Sequence, residues 1–118
     1  MRRMQTNPQL VATIRYLRKA SNMNNAPIWA RLADELSDSK RRRPSVNISS
    51  IVRSIDEGET AAVPGKVLGS GLGKKITVAA FAFTKEARRK IEEAGGECLS
   101  LITLVERNPK GTGVRIIG

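Results

Sequence analysis

Apolar residues recur three and four apart along the first half of the chain and then bunch into short runs. Leu10, Ile14 and Leu17 lie on one face of a helix, with Val11 and Ala20 beside them. Asn7-Pro8 ahead of them has the order of an N-cap followed by proline at the first helical position. The spacing therefore predicts a helix over 8–20, with Arg15, Arg18 and Lys19 off its apolar stripe. Ser21-Asn22-Met23-Asn24-Asn25 reads as a loop. Pro27 opens a second helix, in which Ile28, Trp29, Leu32, Ala33 and Leu36 form the apolar face. Asn47 is placed to cap a third, because Ile48, Ile51, Val52 and Ile55 keep helical spacing. Their β-branched composition favours a strand by propensity; the spacing decides for a helix, ended by Asp56-Glu57-Gly58.

The second half has a different rhythm. Thr60–Val63 and Lys66–Leu68 are short apolar runs split by Pro64-Gly65. Gly69-Ser70-Gly71-Leu72-Gly73 reads as a flexible turn between two strands of a hairpin. Lys74–Phe83 holds a buried-strand pattern. Thr84 caps a helix to about Ala94, stopped by Gly95-Gly96. Cys98-Leu99 suits a short strand, Ser100 caps a short helix through Glu106, and Asn108-Pro109-Lys110-Gly111 turns the chain into a last strand, Val114–Ile117. The expected fold is a single compact α/β domain over 1–118. A basic helical segment, 1–45, precedes an α/β core, 46–118, of short strands and helices.

Composition narrows the function. In 118 residues, 21 Lys and Arg face 11 Asp and Glu, a net charge of +10. Residues 1–45 carry ten cations against three acids, and Lys40-Arg41-Arg42-Arg43 is the densest point. Alone such a run is a solvated loop; in so basic a chain it is expected to meet phosphate. Aromatics are 3%, so the core must be built from Ile, Leu, Val and Ala. The absence of histidine removes His-based general-base catalysis and, with a single cysteine, any Cys/His zinc site. Cys98 alone builds no internal disulfide and fits a reducing compartment. No apolar run approaches the roughly 20 residues of a membrane-spanning helix, and the N-terminus lacks the apolar stretch of a secretory signal. No cofactor, membrane or small-molecule substrate is expected.

The glycine cluster fails as a nucleotide loop. A Walker A loop needs Gly, four residues, then Gly-Lys-Ser/Thr. Gly73-Lys74 is followed by Lys75, and Gly65-Lys66 by Val67. The dinucleotide fingerprint requires a glycine where Lys74 stands. What remains is bare backbone flanked by Lys66, Lys74 and Lys75, suited to turning the chain or to close approach of a sugar-phosphate backbone. Carboxylate pairs such as Asp34-Glu35, Asp56-Glu57 and Glu92-Glu93 are adjacent, so on a helix they do not face one another, and a small carboxylate enzyme is disfavoured. Trp29 lies on an apolar stripe and reads as core. A DNA-binding helix-turn-helix is the alternative, set back by the long Asn-rich connection between the first two helices.

Val63-Pro64-Gly65-Lys66-Val67-Leu68-Gly69-Ser70-Gly71, followed by Ile76-Thr77-Val78-Ala79-Ala80, resembles large-subunit ribosomal protein eighteen of archaea and eukaryotes, the L-eighteen-e family. Thr6-Asn7-Pro8, the Trp29 helix, Val46-Asn47, Asn108-Pro109-Lys110-Gly111 and Val114-Arg115 fit the same family, which is related to bacterial ribosomal protein fifteen through a shared C-terminal domain. The compact length looks like the archaeal form. The resemblance implies irregular β-β-α units. It also implies a structural, non-enzymatic constituent of the large ribosomal subunit in the cytoplasm, bound to ribosomal RNA and neighbouring ribosomal proteins, with no self-association expected. The candidate RNA-binding residues follow from charge and loop chemistry: Arg2, Arg3, Arg15, Arg18, Lys19, Lys40, Arg41, Arg42, Arg43, Lys66, Gly69, Ser70, Gly71, Lys74, Lys75 and Arg115.

Overall fold

A computed structural model describes residues 7–37, 45–71 and 74–118. The elements run α1 (Pro8–Asn24), α2 (Pro27–Ser37), β1 (Ser45–Asn47), α3 (Ile48–Ser54), β2 (Thr60–Leu68), β3 (Thr77–Phe83), α4 (Lys85–Glu93), β4 (Glu97–Ser100), α5 (Leu101–Arg107) and β5 (Val114–Ile116). The strands form one sheet in the order β1-β2-β3-β4. Each pairing in it is parallel. One edge of β2 is shared: β5 pairs with Thr60–Ala62 and β1 with Lys66–Leu68.

A parallel sheet needs cover on both faces, and the strand residues sort accordingly. Ala62, Ala79 and Leu99 turn to one side and pack with Leu17, Trp29, Leu32 and Leu36 of α1 and α2, and with Leu101, Leu104 and Val105 of α5. Ala61, Val63, Val67, Val78 and Ala80 turn to the other and pack with Ile48 and Ile51 of α3 and Ala87 and Ile91 of α4. Small residues at the centre of β2 and β3 let both helical layers approach closely. Trp29 is fully buried, and its indole Nε1–H donates to the carbonyl of Pro109 at 2.8 Å. That bond ties α2 to the turn before β5.

The caps fall where the sequence places them. Asn7 Oδ1 accepts from the amides of Gln9 and Leu10, Thr84 from Ala87 and Ser100 from Thr103. Asn47 is the N-cap residue of α3, but its side chain makes no capping bond.

Four expectations change. The first helix does not stop at residue 20: Ser21–Asn24 continue it, the Asn24 side-chain amide donates to the Ala20 carbonyl, and Asn25 ends the helix in a left-handed conformation. The connection to α2 is therefore Asn25-Ala26, a tight turn rather than a long loop. Ser45–Asn47, to which the sequence assigned no element of its own, is a strand. Pro64-Gly65 does not split β2; the register slips between Val63 and Lys66, where β2 takes one extra residue, so the proline is carried on a bulge. Last, the glycine segment is not a hairpin, because β2 and β3 run parallel. At roughly 3.3 Å per residue β2 is about 26 Å long. The connection from Leu68 to Thr77 must therefore return along the length of β2.

Candidate nucleic-acid interface

The crossover redistributes the residues that the sequence grouped. Lys66 and Gly69-Ser70-Gly71 lie at the C-terminal ends of the parallel strands. Lys74 and Lys75 lie at the opposite end, lining a groove of about 660 Å³ with Asp56, Glu57, Glu59, Thr60 and Glu97. The two cationic groups do not bracket one loop. Ser45, where the described chain resumes after the basic run, is the register partner of Lys66.

The loop glycines are required within the protein. A Cβ on Gly69 would lie 2.7 Å from Cγ of Glu86, and one on Gly71 would lie 2.6 Å from Cβ of Ser49. Gly71 also holds φ at +109°, in the region that favours glycine. The loop carbonyls face inward. Lys90 Nζ donates to the oxygens of Gly69 and Gly71 at 2.7 and 3.3 Å, and the Ser49 amide donates to that of Ser70 at 3.2 Å. Gly69 is buried, whereas Ser70 is exposed at the bend. Sequence reasoning misses Lys90, Glu86 and Ser49, because no spacing shows that α3 and α4 flank this loop.

Charge pairing separates the cations into two sets. Among the described residues six of fifteen are ion-paired: Arg18, Arg88, Arg89, Lys90, Arg107 and Arg115. Arg18 joins Asp34 at 3.4 Å and donates to the Ser37 hydroxyl, bracing α1 against α2. Arg115 grips Glu59 through Nε and Nη2, each at 3.2 Å. The Glu59 carboxyl is held below its ordinary pKa, first by the backbone amide of Asp56 and then by Arg115. The other nine cations have no acid within ion-pairing distance among the described residues: Arg15, Lys19, Arg31, Arg53, Lys66, Lys74, Lys75, Lys85 and Lys110. Six of the ten described acids are consumed by pairs, so the residual field is positive. Arg15 and Lys19 stand exposed and four apart on α1. Arg2, Arg3 and Lys40–Arg43 lie outside the described residues.

Other chemistry is sparse. Cys98 is half-buried, and burial pushes its thiol pKa up; a protonated thiol is a poor nucleophile. No helix among the described residues is long and apolar enough to cross a membrane. The tight α1–α2 turn removes the spacing objection to a helix-turn-helix, but charge supplies another. Trp29, Leu32, Ala33 and Leu36 are buried, and the outer positions of α2 hold one cation, Arg31, against Asp34 and Glu35. That surface is ill suited to the phosphates lining a DNA groove.

A parallel sheet layered by helices on both faces, with cations in excess of acids, makes a small basic α/β protein. The chain belongs to the family described as "Ribosomal protein 60S L18 and 50S L18e", which it matches over residues 4–118. It is 51% identical over 113 residues to "Large ribosomal subunit protein eL18" of Methanothermobacter thermautotrophicus, covering 95% of this chain and 93% of that one. The protein of the same name from Methanococcus maripaludis is 44% identical over 115 residues, covering 97% of this chain and 96% of the relative. That from Archaeoglobus fulgidus is 43% identical over 113 residues, covering 95% and 97%. Membership in this ribosomal-protein family removes the carboxylate enzyme from consideration.

Proposed function

We propose that this chain is a structural constituent of the large ribosomal subunit, which binds and stabilises folded ribosomal RNA beside neighbouring ribosomal proteins. The observation that carries this reading is the set of nine cations left without an acid partner among the described residues, in a chain whose relatives are named as large-subunit proteins. Folded RNA is read mainly through shape, phosphates and 2′-hydroxyls, because its deep major groove excludes side chains. Exposed lysines and arginines on rigid elements suit that mode.

The contact set begins with Arg15 and Lys19 on α1, Lys66 at the ends of the strands, and the basic run Lys40, Arg41, Arg42 and Arg43 that leads into β1. Arg2 and Arg3 extend it. Ser70 supplies the exposed bend of the glycine loop, with Gly69 and Gly71 shaping it. Lys74 and Lys75 form a second contact at the opposite end of the sheet. Arg18 and Arg115 keep spare donors but act first as ties within the fold.

The test is co-sedimentation of the chain with large subunits stripped of this protein, at rising salt, with duplex DNA as the competing arm. Expected is co-sedimentation at low salt, release as salt rises, and a preference for the subunit over DNA at matched salt. A chain that stays in the supernatant at low salt, or binds DNA equally well, contradicts the proposal.

A further inference from the structure

We propose that Phe83 and Arg88 form a stacking platform for one unpaired base of the ribosomal RNA, with Lys85 placed for its phosphate. This rests on the RNA-binding reading above and adds a site that phosphate contacts do not explain. At the C-terminal end of β3, the Arg88 guanidinium carbon lies 5.1 Å from the centroid of the Phe83 ring. That is inside the roughly 6 Å reach of a cation–π contact. The Arg88 side chain is still 52% exposed, and its ion pair with Glu92 is long, at 3.9 Å. The guanidinium thus sits over the ring while the group remains open to solvent.

Phe83, Lys85, Arg88, Arg89, Glu92 and Glu93 line an open concavity of about 450 Å³, within the roughly 300–1,000 Å³ of small-ligand sites. Its cations outnumber its acids. Arg89 is occupied by Glu93 at 3.3 Å, whereas Lys85 is exposed and has no ion-pair partner among the described residues. A preorganised planar cation beside a free lysine matches a base joined to a phosphate, since unstacked RNA bases settle on aromatic rings and on guanidinium planes. The Thr84 amide bonds the Val67 carbonyl at 3.0 Å, so the platform is anchored to β2 beside Lys66.

The experiment measures binding of the full chain to large-subunit ribosomal RNA for wild type, Arg88→Lys, Phe83→Leu and Lys85→Ala. Base-modification footprints are taken on each complex. Arg88→Lys keeps the charge at an exposed position and removes the plane. Expected is affinity about fivefold or more below wild type, the low end for removal of a base–aromatic stack, with an unchanged salt slope and no protection at one base that wild type protects. Phe83→Leu should abolish the same protection, and Lys85→Ala should lower the salt slope by about 0.9 at most. Folded Arg88→Lys and Phe83→Leu proteins with wild-type affinity and footprints would overturn the platform while leaving the RNA-binding reading intact. Wild-type protein that binds the RNA without salt dependence would remove both.

Discussion

Lys90 donates to the carbonyl oxygen of Gly69 at 2.7 Å, from a position 21 residues further along the chain. The bond fastens the connection between the two central strands to the helix that packs against them. A lysine in a basic protein of this kind is easily assigned to RNA; this one is used to hold a loop, with Glu86 as its ion-pair partner at 3.7 Å. Replacing Lys90 by Met keeps the aliphatic stem and deletes both loop bonds. The expected destabilisation is about 1–3 kcal/mol, the worth of a charged hydrogen bond in a partly buried setting, read by urea unfolding. A variant as stable as wild type would show that the loop holds its course without the lysine.

Gly71→Ala is expected to cost more than Gly69→Ala. At Gly71 a methyl group meets the backbone nitrogen of Ser49 at 2.9 Å and must adopt φ of +109°. At Gly69 it meets mainly the Glu86 side chain, which has rotamers to yield. Backbone strain of this kind is worth of order 1–3 kcal/mol, and thermal unfolding of the two variants gives the order directly.

Trp29→Phe removes the indole N–H that reaches Pro109 and leaves that carbonyl to find another donor. A destabilisation of about 1–3 kcal/mol is expected from the bond and the vacated volume, followed by far-ultraviolet circular dichroism because Trp29 is the single tryptophan.

Glu59 links stability to acid. Its folded pKa is depressed, chiefly by the Asp56 amide and then by Arg115. The stability it contributes is therefore present above its unfolded pKa, about 4.3, and is lost as pH falls through the folded value. Glu59→Gln should lower the melting temperature in the neutral region, where wild type holds this contribution, leave the most acid values nearly unchanged, and so flatten the acid limb. An acid limb identical to wild type would assign acid sensitivity to other carboxylates.

Legibility from the sequence varied with range. Local chemistry was legible: Thr84 and Ser100 cap the helices after them, Trp29 sits in the core, and the Lys74–Phe83 run contains a strand, Thr77–Phe83. These depend on neighbours within a few residues. Strand direction was not, because nothing between Leu68 and Thr77 states whether the chain turns or returns; that is decided by pairing β2 simultaneously with β1, β3 and β5. The same limit hid the site. Lys66 and Lys74 are eight apart in sequence, and the crossover sends them to opposite ends of the sheet. Arg18 and Arg115 looked as available as Arg15, and only folding brings Asp34 and Glu59 to them. The Phe83–Arg88 pair spans the boundary from strand to helix, where neither period applies.

The most direct test of the central claim is the slope of log affinity against log salt for large-subunit ribosomal RNA, measured for wild type and for two sets of alanine variants. Each neutralised phosphate adds about 0.9 to the magnitude of this slope on duplex nucleic acid, and about 0.7 on single strands. Arg15→Ala, Lys19→Ala and Lys66→Ala remove cations with no acid partner among the described residues and should each flatten the slope by up to that amount. Arg18→Ala and Arg115→Ala remove cations already paired and should lower stability while leaving the slope of the folded protein nearly unchanged. A wild-type slope near zero, or equal flattening in the two sets, would contradict the claim that unpaired cations hold the RNA.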